Sequence, residues 1–280
     1  MKKIYLLIAA LVAFAPAAFA WSGAIHTGIA AIANANLTPE ARHNIEQALG
    51  NRSIIYYASW LDDVADTDGY TQSKAWHNVA FTAKCKMIAG KKADKSKEEI
   101  IRTAHAFDAL VQAVTVLQNR DKATAQEIAD NIRFVVCILA DLHCPSHYVY
   151  ADLLPQREWQ YFSYGKPYNY MKFWEAYALT GTFGNWRATE FVHQLNRKSD
   201  EQVKALTAGS LSEWITGNAA EYRRIYSMLT PDQKFDKKTL RLWLNHFYPL
   251  STEYVADAGY RIAALLNSLF DENAPKVNIK

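Results

Sequence analysis

Asp141 and His147 stand six residues apart in the stretch FVVCILADLHCPSHYVY, residues 134–150, with His143 between them and Cys137 one helical turn before Asp141. The run before Asp141 is apolar nearly all round, so a helix ending there lies in the core. A carboxylate in such a place needs a compensating charge. A metal ion is one such partner, and carboxylate, imidazole and thiol are donors that zinc accepts. Cys137 and Asp141 share a helical face at i, i+4. Pro145 ends the helix, and His147 follows it at a loop position able to point back at Asp141.

Two further groups carry donors. Trp21-Ser22-Gly23-Ala24-Ile25-His26 offers a histidine close to a predicted processing point. If the chain is cut before Trp21, the new α-amino group and the Trp21 carbonyl can close a five-membered chelate, with His26 reaching the same ion. The bland alternative is a loose terminus followed by a helical histidine. Asp62 and Asp63 end the run ASWLDD, and His77 follows Trp76. Acids at a helix end are commonly solvated, and a histidine after a tryptophan is commonly a packed one.

The elements that must position these groups are helical. Residues 22–36 read as a helix of small apolar residues. Thr38-Pro39-Glu40 is a capped start, and Gly50 closes the helix it opens. Residues 56–63 are apolar on one side. Residues 91–97 read as a charged, exposed loop. Residues 97–119 carry a strong amphipathic stripe, and 124–143 form the central helix. Residues 152–167 are aromatic and irregular. Further helices are expected over 170–179, 186–195, 200–228 and 251–270. No convincing alternating strand, internal repeat or linker appears, so the expectation is a single all-α domain over 21–280.

The first twenty residues read as an export signal: Lys2 and Lys3, an apolar core over 4–14, and Ala18-Phe19-Ala20 as the cleavage signature. The apolar run falls short of the roughly 20 residues a membrane span needs. A periplasmic or secreted protein is expected, without a stable membrane anchor after cleavage. Removing Lys2 and Lys3 leaves 29 basic residues against 28 acidic ones, which excludes the strongly basic face of a duplex-binding protein. Aromatic residues make up 13% of the chain, enough for stacking on bases. The three cysteines, Cys85, Cys137 and Cys144, imply no disulfide framework.

Taken together, these motifs resemble the zinc-dependent single-strand nucleases and 3'-nucleotidases of the S-one/P-one type, relatives of the bacterial phospholipases C that share their fold. The similarity runs over nearly the whole chain after residue 20. It includes the tryptophan start, LTPEA (37–41), ASWLDD (58–63), IRFVVCILADLHCPSH (132–147) and AGYRIAALLN (258–267). It implies an all-α phospholipase C/nuclease-type domain that hydrolyses phosphate esters, with up to three zinc ions. One ion would be held by Trp21, His26 and Asp141. A second would use Asp62, His77, position 137 and Asp141 as a bridge, with Asp62 and Asp141 as the catalytic carboxylates. The third would use His147 and positions 171 and 175.

The chain departs from that pattern at three ligand positions. Cys137 replaces a histidine, and zinc accepts a thiolate. Glu175 replaces an aspartate, as it does in the related phospholipases. Met171 replaces a histidine, and a thioether is a poor zinc ligand. Two ions rather than three are therefore expected. Asn78, Val79 and Ala80 follow His77 where the family has an aromatic residue and then Asp or Asn. Asn78, Phe81 and Tyr148 are the substrate-binding candidates that remain. The expected substrate is single-stranded nucleic acid or a 3'-nucleotide, acted on by a monomer. The alternatives are a zinc phosphoesterase for another substrate, such as a phospholipid head group, and a catalytically impaired binding protein.

Overall fold

Caps in the sequence set the first helices. In the computed structural model, which describes residues 21–157, 160–163, 166–179, 186–228 and 236–280, α1 spans Gly23–Ala35 and α2 spans Pro39–Ala48. The Thr38 hydroxyl accepts from the Ala41 amide at 3.2 Å, Pro39 takes the first turn, and Gly50 turns the chain at φ 68°. The export signal read in residues 1–20 lies outside the described residues. None of the described helices is long and apolar enough to cross a membrane.

After α3 (Trp60–Val64) the chain makes two short strands, β1 (Val79–Phe81) and β2 (Met87–Ile88). Two helical turns follow, α4 (Lys91–Asp94) and α5 (Glu99–Arg102), and then α6 (Ala106–Gln118). The central helix, α7 (Ala125–Asp141), opens on a capping box between Thr124 and Glu127. Beyond it lie β3 (Tyr148–Tyr150), α8 (Leu154–Arg157), a hairpin of β4 (Gln160–Ser163) and β5 (Lys166–Asn169), and α9 (Tyr170–Lys172), which runs into a π turn over Phe173–Tyr177. The chain closes with α10 (Ala188–Leu195), α11 (Asp200–Leu206), α12 (Leu211–Ser227) and α13 (Lys237–Phe270).

The helical expectation holds, with five local corrections. The stripe over 97–119 is broken, because His105 pairs with Val79 in an isolated bridge. The His105 amide donates to Ala75 O at 2.9 Å and the Ala106 amide to Asn78 O at 3.0 Å, so backbone pairing to the segment around His77 outweighs helical periodicity. The helix expected over 200–228 is two, parted at Gly209 with φ 84° and restarted by the Ser210–Glu213 capping box. The last helix starts earlier than expected, at Lys237. Residues 91–97 include the turn of α4, whose Ala93 is buried.

The strands are the fifth correction. β1 pairs antiparallel with β2 and parallel with β3, Val79 opposite Tyr148 and Phe81 opposite Tyr150. Each of these three strands is three residues or shorter, too brief to show an alternating pattern.

The main core cluster lies around α1, α7 and α13, and a small second one joins Ala80, Ile101, Ala104 and Val149. Helix α1 can approach its neighbours closely because it and they carry glycines at the crossings. A Cβ on Gly259 would lie 2.6 Å from Ile32 Cγ2, and one on Gly28 would lie 2.3 Å from the Phe191 ring. All three cysteines are free thiols.

Candidate metal and phosphate site

The site forms where the end of α7 meets three other segments. Helix α7 delivers Asp141 at its last turn, fully buried. That end is closely held. The Leu142 amide donates to Ile138 O and the Cys144 amide to Asp141 O. His143 Nδ1 donates to Leu139 O at 2.8 Å, and Trp21 Nε1 to Ala140 O at 3.1 Å. Tyr148 donates to Leu142 O and Tyr222 to His143 O. The carbonyls a helix leaves open at its C-terminus are thereby filled. The negative end of the helix dipole adds to the cost of a carboxylate there, so Asp141 requires cationic partners.

Two histidines supply them. His77 Nδ1 lies 2.9 Å from Asp141 Oδ2 and 3.8 Å from Asp62 Oδ1. His26, from the first turns of α1, places Nε2 at 3.2 Å from Asp141 Oδ1, without hydrogen-bond alignment. Burial works against a charged His26 or His77, but Asp141 outweighs it and raises both imidazoles above their ordinary range. Burial would likewise lift Asp141, and the three surrounding histidines hold it well below the usual carboxylate range. Asp62, in α3, is pushed up to about 6 by burial and by the charge of Asp141.

The parallel pairing of β1 with β3 brings in the third histidine, His147. With Val79 opposite Tyr148, the residues just before them, Asn78 and His147, also fall side by side, and Asn78 Oδ1 lies 3.3 Å from His147 Nδ1. The His77 and His147 rings stand 6.4 Å apart. Burial drives His147 down to about 4, so it is neutral at physiological pH, and its Nε2 is buried without a hydrogen-bond partner. Glu175, on the π turn, is buried with Oε1 likewise unpartnered, and burial and Asp141 push it up to about 9. Its backbone carbonyl accepts from the Ser22 amide at 2.7 Å, which fixes the segment beginning at Trp21 to the same site.

Among the described residues, no three His, Cys, Asp or Glu side chains already close around one point as a ready cage. The donor chemistry around Asp141 nevertheless fits zinc. His26, Asp62, His77 and Asp141 offer nitrogen and oxygen donors. Both His26 nitrogens and Asp141 Oδ1 are buried without a hydrogen-bond partner, a deficit rare in protein interiors. The group beside it does not fit a further ion. Met171 Sδ is contacted by Arg157 Nη2 at 3.3 Å, so a thioether and a guanidinium stand with His147 and Glu175.

Cys137 is buried on the same face of α7. Its thiol donates to Ala58 O at 3.3 Å, and burial pushes it far above the ordinary thiol range. The substrate candidates need correction. Phe81 and Tyr148 are fully buried and stack on each other, with ring centroids 5.1 Å apart and planes within 1°. Neither presents a free face to a base, and Asn78 is committed to His147. Sequence reasoning missed Arg157, which no motif singles out. Its signal is its burial, visible only in the fold.

No curated protein matches the chain significantly. A model described as S1/P1 Nuclease matches residues 21–271, the span that delivers every donor from Trp21 to Glu175, and the chain belongs to this family of nucleases.

Proposed function

We propose that this protein is an exported, zinc-dependent phosphodiesterase that cuts single-stranded nucleic acid and acts on 3'-nucleotides. The observation that carries the reading is the convergence of His26, Asp62 and His77 on the buried Asp141, with His26 and Asp141 Oδ1 left short of partners. These four residues would hold zinc, which when bound would supply Lewis acidity to a phosphate ester. Asp141 stays ionised and fixes both histidines. Without the ion Asp62, its carboxyl near 6, is ionised at neutral pH, and with the ion bound its remaining oxygen would orient the attacking water. The Trp21 α-amino group joins the donors once the leader is cut after Ala20. Cys137 joins them only by giving up the hydrogen it shares with Ala58 O.

Purified, leader-free protein supplied with zinc is expected to release acid-soluble nucleotides from single-stranded DNA, and Asp141→Ala to lose that release. Unchanged turnover in Asp141→Ala defeats the assignment. The mutual stacking of Phe81 and Tyr148 favours a second reading, a phosphoesterase that does not grip a base, such as one for phospholipid head groups. Parallel assays on lipid and on single-stranded DNA separate the two.

A further inference from the structure

The cluster of His147, Met171 and Glu175 already contains a cation. Arg157, at the end of α8, is only 5% exposed. Its Nη1 donates to Ser146 O at 2.7 Å and to the Tyr226 hydroxyl at 3.1 Å, which orients the guanidinium. Its Nη2 faces Met171 Sδ at 3.3 Å. A guanidinium keeps its charge under all ordinary conditions, and a thioether is a weak acceptor for it. Its bond to the Ser146 carbonyl seats it one residue before His147, so a fixed positive charge stands at the cluster and position 171 turns a sulfur toward that charge.

We propose that Arg157 supplies the third positive charge of this site in place of a metal ion, resting on Met171 until a substrate phosphate oxygen replaces the sulfur as partner of Nη2. The exchange trades a weak acceptor for an anionic one, with which an N–H makes a shorter and stronger bond. Nη1 stays anchored on Ser146 and Tyr226, so the guanidinium need not move far. Arg157 is a positioning residue for phosphate, and it keeps a further dication out. The phosphate-binding part rests on the phosphodiesterase reading; exclusion of an ion does not.

The test counts zinc per chain by elemental analysis on leader-free protein equilibrated with zinc, and measures inorganic phosphate binding by calorimetry. Met171→His restores an imidazole but leaves the guanidinium, and is expected to bind no more zinc than the parent. Met171→His with Arg157→Gln is expected to bind one more. Arg157→Gln alone is expected to keep the parental zinc count and to weaken phosphate about tenfold, with Arg157→Lys between the two. An extra ion in Met171→His alone, no extra ion in the double variant, or unweakened phosphate in Arg157→Gln each overturns the proposal. If variants at Arg157 fail to fold, Met171→His still decides, because it leaves the bonds to Ser146 and Tyr226 intact. The count is read against the parent, so it reports on Arg157 whether or not the parent cuts nucleic acid.

Discussion

Zinc uptake should expel protons, and their number measures whether the carboxylates or burial govern His26 and His77. Burial alone would leave both imidazoles neutral, whereas Asp141 raises both above 6.5. At pH 6 a histidine with a pKa above 6.5 is at least about three quarters protonated, so the pair carries about 1.5 to 2 protons. Asp62, with its carboxyl at about 6, adds about half a proton, where an ordinary aspartic acid would add almost none. Coordination requires all three groups deprotonated. The expected release at pH 6 is therefore about 2 to 2.5 protons from the three side chains, and in leader-free protein the Trp21 α-amino group adds about one more. Zinc competes with these protons, so its affinity falls as pH falls. Calorimetry of zinc binding in buffers of different ionisation enthalpy gives the number directly. A release below about two protons at pH 6 from leader-free protein would show that burial wins and that the charge balance drawn around Asp141 is mistaken.

Three other perturbations probe separate parts of the molecule. Gly259→Ala drives a methyl to 2.6 Å from Ile32 Cγ2 and 3.2 Å from Ile29 O; the expected loss is about 1–3 kcal/mol, read as a lower Tm, and an unchanged Tm would disprove the close crossing of α1 and α13. Cys137→Ser should leave zinc per chain unchanged, since the thiol hydrogen is spent on Ala58 O, and loss of an ion would make the sulfur a ligand. His143 is held down to about 3 by burial and then by Arg261. Its folded pKa lies below the unfolded one, so its contribution is complete above about pH 6.5 and drains away as pH drops toward 3. Denaturant titrations of zinc-free protein over that window should give a slope shallower by about 1.4 kcal/mol per pH unit in His143→Gln than in the parent, and equal slopes would refute the neutral assignment.

The reading of sequence into structure succeeded where one dominant local signal existed. Helix α7 announced itself by its threonine cap, its all-round apolar body and Pro145, and Asp141 could be placed in the core because the helix around it had to be there. Thr38 and Pro39 marked α2 in the same way. The failures share a cause, which is competition from distant backbone. The apolar stripe over 97–119 is genuine, yet His105 leaves it to bond with Ala75 and Val79. Three-residue strands carry too few positions for a period to show, so β1 and β3 were invisible although they set His147 beside Asn78. Phe81 and Tyr148 looked like stacking platforms because aromatic type says nothing about which face is already covered. Arg157 was passed over because a single arginine in an aromatic stretch has no pattern; only its seat on Ser146, Tyr226 and Met171 distinguishes it.

The parallel pairing of β1 with β3 also has a kinetic meaning. Those strands are about seventy residues apart along the chain, so their meeting requires closure of a long loop that contains α6 and α7, and contacts of that range form late and slowly. Until they form, His77 and His147 have no fixed relation, and a nascent or partly folded chain has scattered donors without a site. Capacity for chemistry therefore arises in one step with the native topology.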